Sequence, residues 1–442
     1  MEVYEHYKDS GVPWIDKIPQ LWTVDRFSMS FKFSRGLDIK KRDLEAAGIP
    51  VLSYGQIHAK HNPVVTISPD LVRFIPADKI GGGNLEDARL REGDLVFADT
   101  SEDVHGAGNF SRSDGSQMIH AGYHTLLARP RETYEHKYFA YLFSSEAWRH
   151  QIRRAVQGVK VYSITQGVFK HAQLLRPPVE TQDAIVAFLD AKTAEIDVVV
   201  EKLRRQRALL ERYKRELIAH TVTKGLNPES PMKDSEYEFI GTYPADWQNR
   251  PLFDICDQVK LDNSELQTIV ALQFKNGSII AKPDWDDSPQ SLDILSGYTL
   301  VSPGMIVING LNLNYDFKTK RIGLVKNNGA ITSAYIVISP HRDIESRYLN
   351  YLFKSIDAQK ALHGMTEGVR KILNWKDIRR LTLPMPNSSQ QIAIANYLDT
   401  KTAEIDSLIA NIDRQIALLG AYRKQVINDV VTGKVRVSEE VA

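Results

Sequence analysis

The sequence predicts an α+β protein: two mixed α/β domains in tandem repeat, joined by two long helices that form an antiparallel coiled coil. Three observations predict it. The segment FLDAKTAEID at 188–197 returns as YLDTKTAEID at 397–406, 209 positions later. Each copy of that segment sits in a run whose apolar residues recur every seven positions, the mark of a coiled-coil helix. Each run begins just after a proline pair, Pro177-Pro178 or Pro384 and Pro386, and proline does not sit inside a helix.

The repeat extends upstream. YFAYLF at 138–143 matches YLNYLF at 348–353, and GVK at 158–160 matches GVR at 368–370, both 210 positions apart. EGDL at 92–95 pairs with PGMI at 303–306. Lys8-Asp9-Ser10 with Trp22 pairs with Lys233-Asp234-Ser235 with Trp247, at an offset of 225. The shrinking offset gives the first copy about sixteen extra residues in its middle. The ends of the two units agree and the middles differ. The expected domains are 1–178, a helical region at 179–226, a second domain at 227–386, and a second helical region with its tail at 387–442, with the variable parts at 20–178 and 245–386. VVTISPDLVRFIP, GDLVFADT, YHTLLARP, GMIVING, RIGLV and AYIVISP have strand character. HKYFAYLFSSEAWRHQIRRA and RYLNYLFKSIDAQKALHG read as helices.

The long helices are expected over about 180–222 and 389–431. Their seam is Leu189, Ile196, Leu203, Leu210 and Leu217 in the first, and Leu398, Ile405, Ile412, Leu419 and Val426 in the second. The companion positions hold Lys192, Val199, Gln206 and Tyr213, and Lys401, Leu408, Gln415 and Tyr422. Gln206 and Gln415 interrupt the seam at equivalent places; they read as tolerated, partly solvated glutamines or, alternatively, as buried polar groups that fix register. A pseudo-two-fold axis across the pair would make it antiparallel, with the domains at opposite ends. The apolar surface is wider than one seam needs: Phe188, Val200, Leu209, Tyr397, Ile409, Ile416 and Leu418 flank it. Such stripes mark contact surfaces for partners or packing onto the domains of the same chain.

Composition narrows the function classes. There are 56 Lys+Arg against 55 Asp+Glu, a net charge of +1, so nucleic-acid binding would rest on local patches rather than on a basic chain. Residues 111–180 hold 10 basic and 5 acidic groups, and residues 1–110 hold 13 and 17, which places a basic half in the first domain. The single cysteine, Cys256, excludes an internal disulfide framework and a multi-cysteine zinc site. The absence of a signal peptide and of a run of ~18 apolar residues leads us to expect a cytoplasmic protein.

Few segments carry a chemical motif. The only Pro-Pro, in Arg176-Pro177-Pro178-Val179, lacks the flanks of an amino-methyltransferase motif, and Thr432-Gly433-Lys434-Val435 is not a nucleotide-binding loop. The Gly81–Gly83 cluster reads as a turn. His120 with His124, and His58 with His61, lack ligand company at metal spacing. No Gly-x-Ser-x-Gly elbow supports a nucleophile. Asp284, Asp286 and Asp287 hint at a Mg²⁺ nuclease, but no Glu-x-Lys follows, and a solvated acidic loop fits better. No catalytic residue and no metal ligand is expected.

PPVETQDAIVAFLDAKTAEID followed by LLERYKRELIAHTVTKGL, and PNSSQQIAIANYLDTKTAEID followed by LLGAYRKQVINDVVTGKV, closely resemble the DNA-specificity subunit of type I restriction-modification systems. YKDSGVPWIDKIPQLW and its echo KDSEYEFIGTYPADW add to the likeness, which spans nearly the whole chain. The family's usual Glu-Gln before the helix is here Glu180-Thr181-Gln182 and Ser389-Gln390-Gln391. The resemblance implies two target-recognition domains, each reading one half of a split, asymmetric site in double-stranded DNA. It also implies an antiparallel helix pair that docks two methyltransferase (modification) subunits, and a restriction/translocase subunit that joins for cleavage. No cofactor would be bound by this chain. S-adenosylmethionine, used for adenine N6 methylation, and ATP and Mg²⁺ would sit on the partners. The alternative is a coiled-coil scaffold or adaptor that binds no DNA.

Base reading uses Arg or Lys for guanine and Asn or Gln for adenine, and phosphates take Lys, Arg and small donors. In the first domain HGAGNFSRSDGSQ offers His105, Asn109, Ser111, Arg112 and Gln117, and QGVKVYS offers Gln157, Lys160 and Tyr162. In the second, NGLNLNYDFKTKR offers Asn309, Asn312, Asn314, Lys318, Lys320 and Arg321, and EGVRK adds Arg370 and Lys371. These candidates follow corresponding strands in the two copies.

Overall fold

The computed structural model describes residues 2–60, 62, 64–80, 85–131, 136–156, 161–366 and 371–437. The chain divides into two compact units, Met1–Lys202 with Arg414–Ala442, and Leu203–Asp413. Each unit therefore contains one mixed domain, the start of the long helix that follows it, and the end of the other long helix.

In the first unit, β1 (Phe31–Arg35), β2 (Leu95–Ala98), β3 (Phe110–Arg112) and β4 (Thr125–Pro130) form an antiparallel sheet in the order β1-β4-β2-β3. The register sets Leu126 opposite Arg35 and Phe97, and Phe97 opposite Phe110. β2 reads LVFA and is buried on both faces, as a strand with no polar face must be. Leu95 and Phe97 face the main core, and Val96 and Ala98 a smaller one with Leu52, Ile57, Leu71 and Leu127. The main core is aromatic: Phe143 and Trp148 lie 4.4 Å apart, and Phe97 and Phe169 4.5 Å. Such pairs add roughly 0.5–1.5 kcal/mol each beyond area burial.

Two readings of single segments change. HKYFAYLFSSEAWRHQIRRA forms two helices, α1 (His136–Ser144) and α2 (Glu146–Ala155). Ser145 takes an extended conformation between them, and its hydroxyl accepts the Trp148 amide at 3.3 Å, capping α2. In VVTISPDLVRFIP only Arg73–Ile75 is strand; Pro69 opens a 3-10 turn over Pro69–Leu71 because its fixed φ suits a helical first position. The long helix α3 (Val179–Lys224) then begins directly after Pro177-Pro178.

In the second unit, β5 (Cys256–Val259), β6 (Ile306–Ile308), β7 (Ile322–Leu324) and β8 (Ile336–Pro340) pair in the order β5-β8-β6-β7. This is the same strand order as in the first unit, so the repeat holds in topology where the sequence no longer shows it. Here the core is mostly aliphatic. Ile306, Ile308 and Ile338 meet Leu349, Leu352 and Ile356 of α4 (Ser346–Ala358), and Val307 and Val337 face a separate cluster. The second long helix, α5, spans Ser388–Val431.

The residues shared by the two repeats fasten each domain to its helices. Buried Gln182 donates its amide to the Pro177 carbonyl and Gln391 to that of Pro386, both at 2.9 Å. The Tyr141 hydroxyl donates to Asp190 at 2.6 Å, and Lys137 holds the other carboxylate oxygen. The Tyr351 hydroxyl donates to Asp399 at 2.7 Å, with Arg347 in the place of the lysine. Burial, first of all, pushes both phenols well above the ordinary tyrosine range. Buried Tyr138 reaches the carbonyls of Leu175 and Val431, and Tyr348 those of Pro384 and Val222. One hydroxyl in each unit thus touches the end of a long helix and the strand that leads into the other.

Helix ends obey the same logic. Gly225 and Gly433 adopt φ of +74° and +71°, the left-handed conformation that closes helices. A Cβ on Gly225 would lie 3.2 Å from Trp247, and one on Gly433 closer still to Pro19 and 3.3 Å from Trp22.

Candidate nucleic-acid interface

The two domains place equivalent loops together. In the second, the loop between β6 and β7 meets the strand-like segment at 371–373: Leu373 donates its amide to the Gly310 carbonyl at 2.9 Å, and Leu313 donates to that of Lys371 at 3.0 Å. A Cβ at Gly310 would lie 2.5 Å from the Leu373 carbonyl oxygen, so glycine permits the approach. In the first, the stretch after β2 pairs with the corresponding late segment. Thr100–Ser101 forms a ladder with Tyr162–Ser163, and Ile164 donates to the Asp99 carbonyl at 2.7 Å.

Within the second loop Asn312 takes φ of +58°, a conformation Asn tolerates better than most residues. Asp316 accepts the Lys318 and Thr319 amides at 3.1 and 3.0 Å. Hydrogen bonding to Thr319, first of all, holds its carboxyl down to about 2. The loop presents Asn312, Asn314, Lys318 and Lys320 to solvent. Asn309 is half-buried, its side-chain oxygen taken by the Leu311 amide, and Lys371 is half-buried. Arg321 is a correction: its side chain is fully buried, and its guanidinium donates to the carbonyls of Asn309, Leu311 and Asp316. It holds the loop from inside and is not a surface group.

In the first domain His105 is exposed, and Asn109, Gln117 and Tyr162 are half-buried. Asn109 is engaged at both ends: its oxygen accepts from Arg149 and its amide nitrogen lies 2.9 Å from His58 Nδ1. His58 Nε2 lies 2.8 Å from the Thr100 carbonyl, so that nitrogen carries the proton and Nδ1 accepts. Arg149 also donates to the carbonyls of His105 and Ala107. Burial pushes its guanidinium down to about 10. Ser111 and Arg112 are corrections, since both are buried on β3, bound to Asn62 and to the Val65 carbonyl. Gln117 follows β3 at the Leu95 end of β2, away from the loop at the Ala98 end. Gln157, Lys160 and Arg370 lie outside the described residues.

Sequence reasoning missed His58 and Arg149, which order the first loop, and Tyr315 and Phe317 in the second. Tyr315 is 67% exposed, and Phe317, also exposed, stacks on His363 at 4.7 Å. The Tyr-Asp-Phe run among asparagines and lysines was the available signal. His61 lies outside the described residues, and the pair His120 and His124 is unlike ligands. His120 is buried against the Pro50 carbonyl, whereas His124 is exposed beside Asp99. Among the described residues no group of three His, Cys, Asp or Glu could hold a metal, and no helix is long and apolar enough to cross a membrane. Asp286 caps the helix Pro289–Ser296 through Ser288 and Ser291.

The helices supply the second surface. In the first unit Asp197 of α3 pairs with Arg423 of α5 at 3.3 Å. In the second, Arg207 pairs with Asp413 and Lys214 with Asp406, so residue numbers rise along one helix as they fall along the other and the pairing is antiparallel. Leu189, Ile196, Leu398, Ile405, Ile412 and Val426 are buried, and Leu203, Leu210, Leu217 and Leu419 are partly buried. Gln206 and Gln415 are exposed, which fits tolerated, solvated glutamines rather than buried register-setting groups; their row, with Val199, Tyr213, Leu408 and Tyr422, faces outward. Among the flanking residues Phe188 packs on the first unit's core, and Val200, Ile409 and Ile416 are partly buried. Leu209, Tyr397 and Leu418 are exposed, Leu418 at 62%.

These features define a class of protein: two unlike loop-bearing domains of one topology, fastened to an antiparallel helix pair. No family model matches the chain. It is 24% identical over 444 residues to a candidate type I restriction enzyme MjaX specificity subunit of Methanocaldococcus jannaschii, covering 96% of each. It is 20% identical to the type I restriction enzyme StySPI specificity subunit of Salmonella potsdam, over 95% of this chain and 90% of that one. Its fold matches a chain from a structural description of complex assembly and conformational transition of the type I R-M system, with a TM-score of 0.70, 17% identity and 95% and 100% coverage. It also matches the HsdS subunit of Thermoanaerobacter tengcongensis, with a TM-score of 0.50, 17% identity and 95% and 98% coverage. Over nearly its whole length the chain is similar to specificity subunits of type I restriction enzymes, in sequence and in fold.

Proposed function

We propose that this chain reads a split, asymmetric target in double-stranded DNA, one domain per half-site, and that the helix pair spaces the two readings. The observation that carries the proposal is the doubled loop: in each unit the stretch after the second sheet strand is tied to the segment near 162–164 or 371–373. The groups on these loops suit bases and phosphates. Asn312, Asn314, Lys318 and Lys320 are the contact candidates in the second domain, with His105 and Tyr162 in the first. The differing middles of the two domains give differing half-sites. Groove-reading modules on one face of B-DNA stand about one turn, ~34–36 Å, apart, and helices of 46 and 44 residues, at ~1.5 Å per residue, exceed that length.

The outward apolar residues of the helices, Leu209, Tyr397 and Leu418 among them, are the docking surface for two modification subunits. Those subunits bind S-adenosylmethionine and methylate adenine N6, and restriction/translocase subunits bring ATP- and Mg²⁺-dependent cleavage. This chain carries specificity and no reaction step. Methylation mapping of DNA from a host carrying the chain with its modification subunit tests the reading. The expected result is one methylated motif with two specified parts and a gap of fixed length and free sequence. A single contiguous motif, or no methylation that depends on this chain, would contradict it.

A further inference from the structure

Arg321 does more than fill the second domain. Its guanidinium gathers three carbonyls of one surface loop, Asn309 at 3.1 Å, Leu311 at 2.6 Å and Asp316 at 2.6 Å, and its backbone amide donates to buried Asp357 at 2.9 Å. The side chain is wholly buried, while the loop above it exposes Asn312, Asn314, Tyr315, Phe317, Lys318 and Lys320. A planar fork with several donors can hold three carbonyls at once; a lysine ammonium is a single point charge on a flexible stem. The loop is thereby set before any ligand arrives, which lowers the ordering cost of binding. The first domain reaches the same end by another route: Arg149, from α2, gathers the His105 and Ala107 carbonyls and the Asn109 side chain. A guanidinium, fully buried in Arg321 and half-buried in Arg149, thus braces the equivalent loop in each domain from positions that do not correspond in sequence.

We propose that Arg321 is a positioning residue for one half-site: it sets the conformation of the 309–320 loop, and so the bases the loop accepts, without touching DNA. The inference rests on the reading above, that each domain recognises one half-site. A brace that acts only on one loop should alter base discrimination at one half-site alone. A residue that merely stabilises the chain should lower stability and weaken both half-sites together.

The test uses the full chain assembled with its modification subunit, Arg321→Lys, and a panel of duplexes each carrying one base change in one half-site. Methylation rates and the thermal midpoint are read together. The expected result is a loss of about tenfold in discrimination at one half-site, no change at the other, and a thermal midpoint lowered by the lost buried hydrogen bonds. Unchanged discrimination, or equal loss at both half-sites, overturns the proposal. If Arg321→Lys does not fold, Asp316→Ala decides, since it removes the cap on the Lys318 and Thr319 amides at the loop's outer edge. Loss at one half-site then supports the proposal and retained discrimination overturns it. A wild-type complex that methylates no split site would instead sink the functional reading itself, separately from the brace.

Discussion

Tyr348 shows how much one shared residue can carry. Its buried hydroxyl lies 3.2 Å from the carbonyls of both Val222 and Pro384. Tyr348→Phe leaves two buried acceptors without that donor, and a buried group so left costs about 1–3 kcal/mol. Denaturant unfolding should show a loss in that range; an unchanged midpoint would mean the hydroxyl is not needed there. Tyr138 stands in the same relation to Leu175 and Val431. At this scale the sequence spoke clearly where the repeats agree, because Gln182, Tyr138, Tyr141 and Asp190 recur with the contacts that explain them. It spoke poorly where they differ. A polar type does not say whether a side chain faces outward or braces a loop, so Asn109, Ser111, Arg112 and Arg321 read alike until burial separates them. The basic surplus at 111–180 is subject to the same ambiguity. Arg112, Arg129, Lys137, Arg149, Arg153 and Arg176 of that stretch all bind acceptors within the unit. The charge count therefore overstates what is free for phosphate.

Among the elements, the long helices were the most legible, since a seven-residue apolar repeat has few other meanings. Their observed bounds lie within two residues of those expected. What the period could not reveal is that one row per helix turns inward while the companion row, with Gln206 and Gln415, stays open. The two rows therefore answer differently to truncation. Ile412 is buried, and Ile412→Ala should destabilise the chain by about 2–5 kcal/mol. Leu418→Ala removes a side chain that is 62% exposed and should shift the isolated chain by under about 0.5 kcal/mol. On the docking proposal it should nonetheless weaken assembly with the modification subunit, measured by titration of one against the other. Equal assembly by Leu418→Ala and wild type would remove Leu418 from that surface. The short strands were less legible, because the break at Ser145 and the turn at Pro69 depend on a cap and a ring that hydropathy does not weigh.

For the whole molecule, the two units carry sheets of one strand order built from unlike cores, rich in aromatics in one and mostly aliphatic in the other. Packing density tolerates such replacement provided volume and pattern are kept. The fold could therefore stay fixed while the loops diverged, and the sequence repeat fades where the topology persists. The central claim is that each domain reads its own half of the target. Exchanging residues 20–178 for the corresponding domain of a related specificity subunit, followed by methylation mapping of the exchanged complex, tests it most directly. The account predicts a new sequence in one half of the methylated motif, with the other half and the gap unchanged. A motif that stays the same, or one altered in both halves, would contradict it.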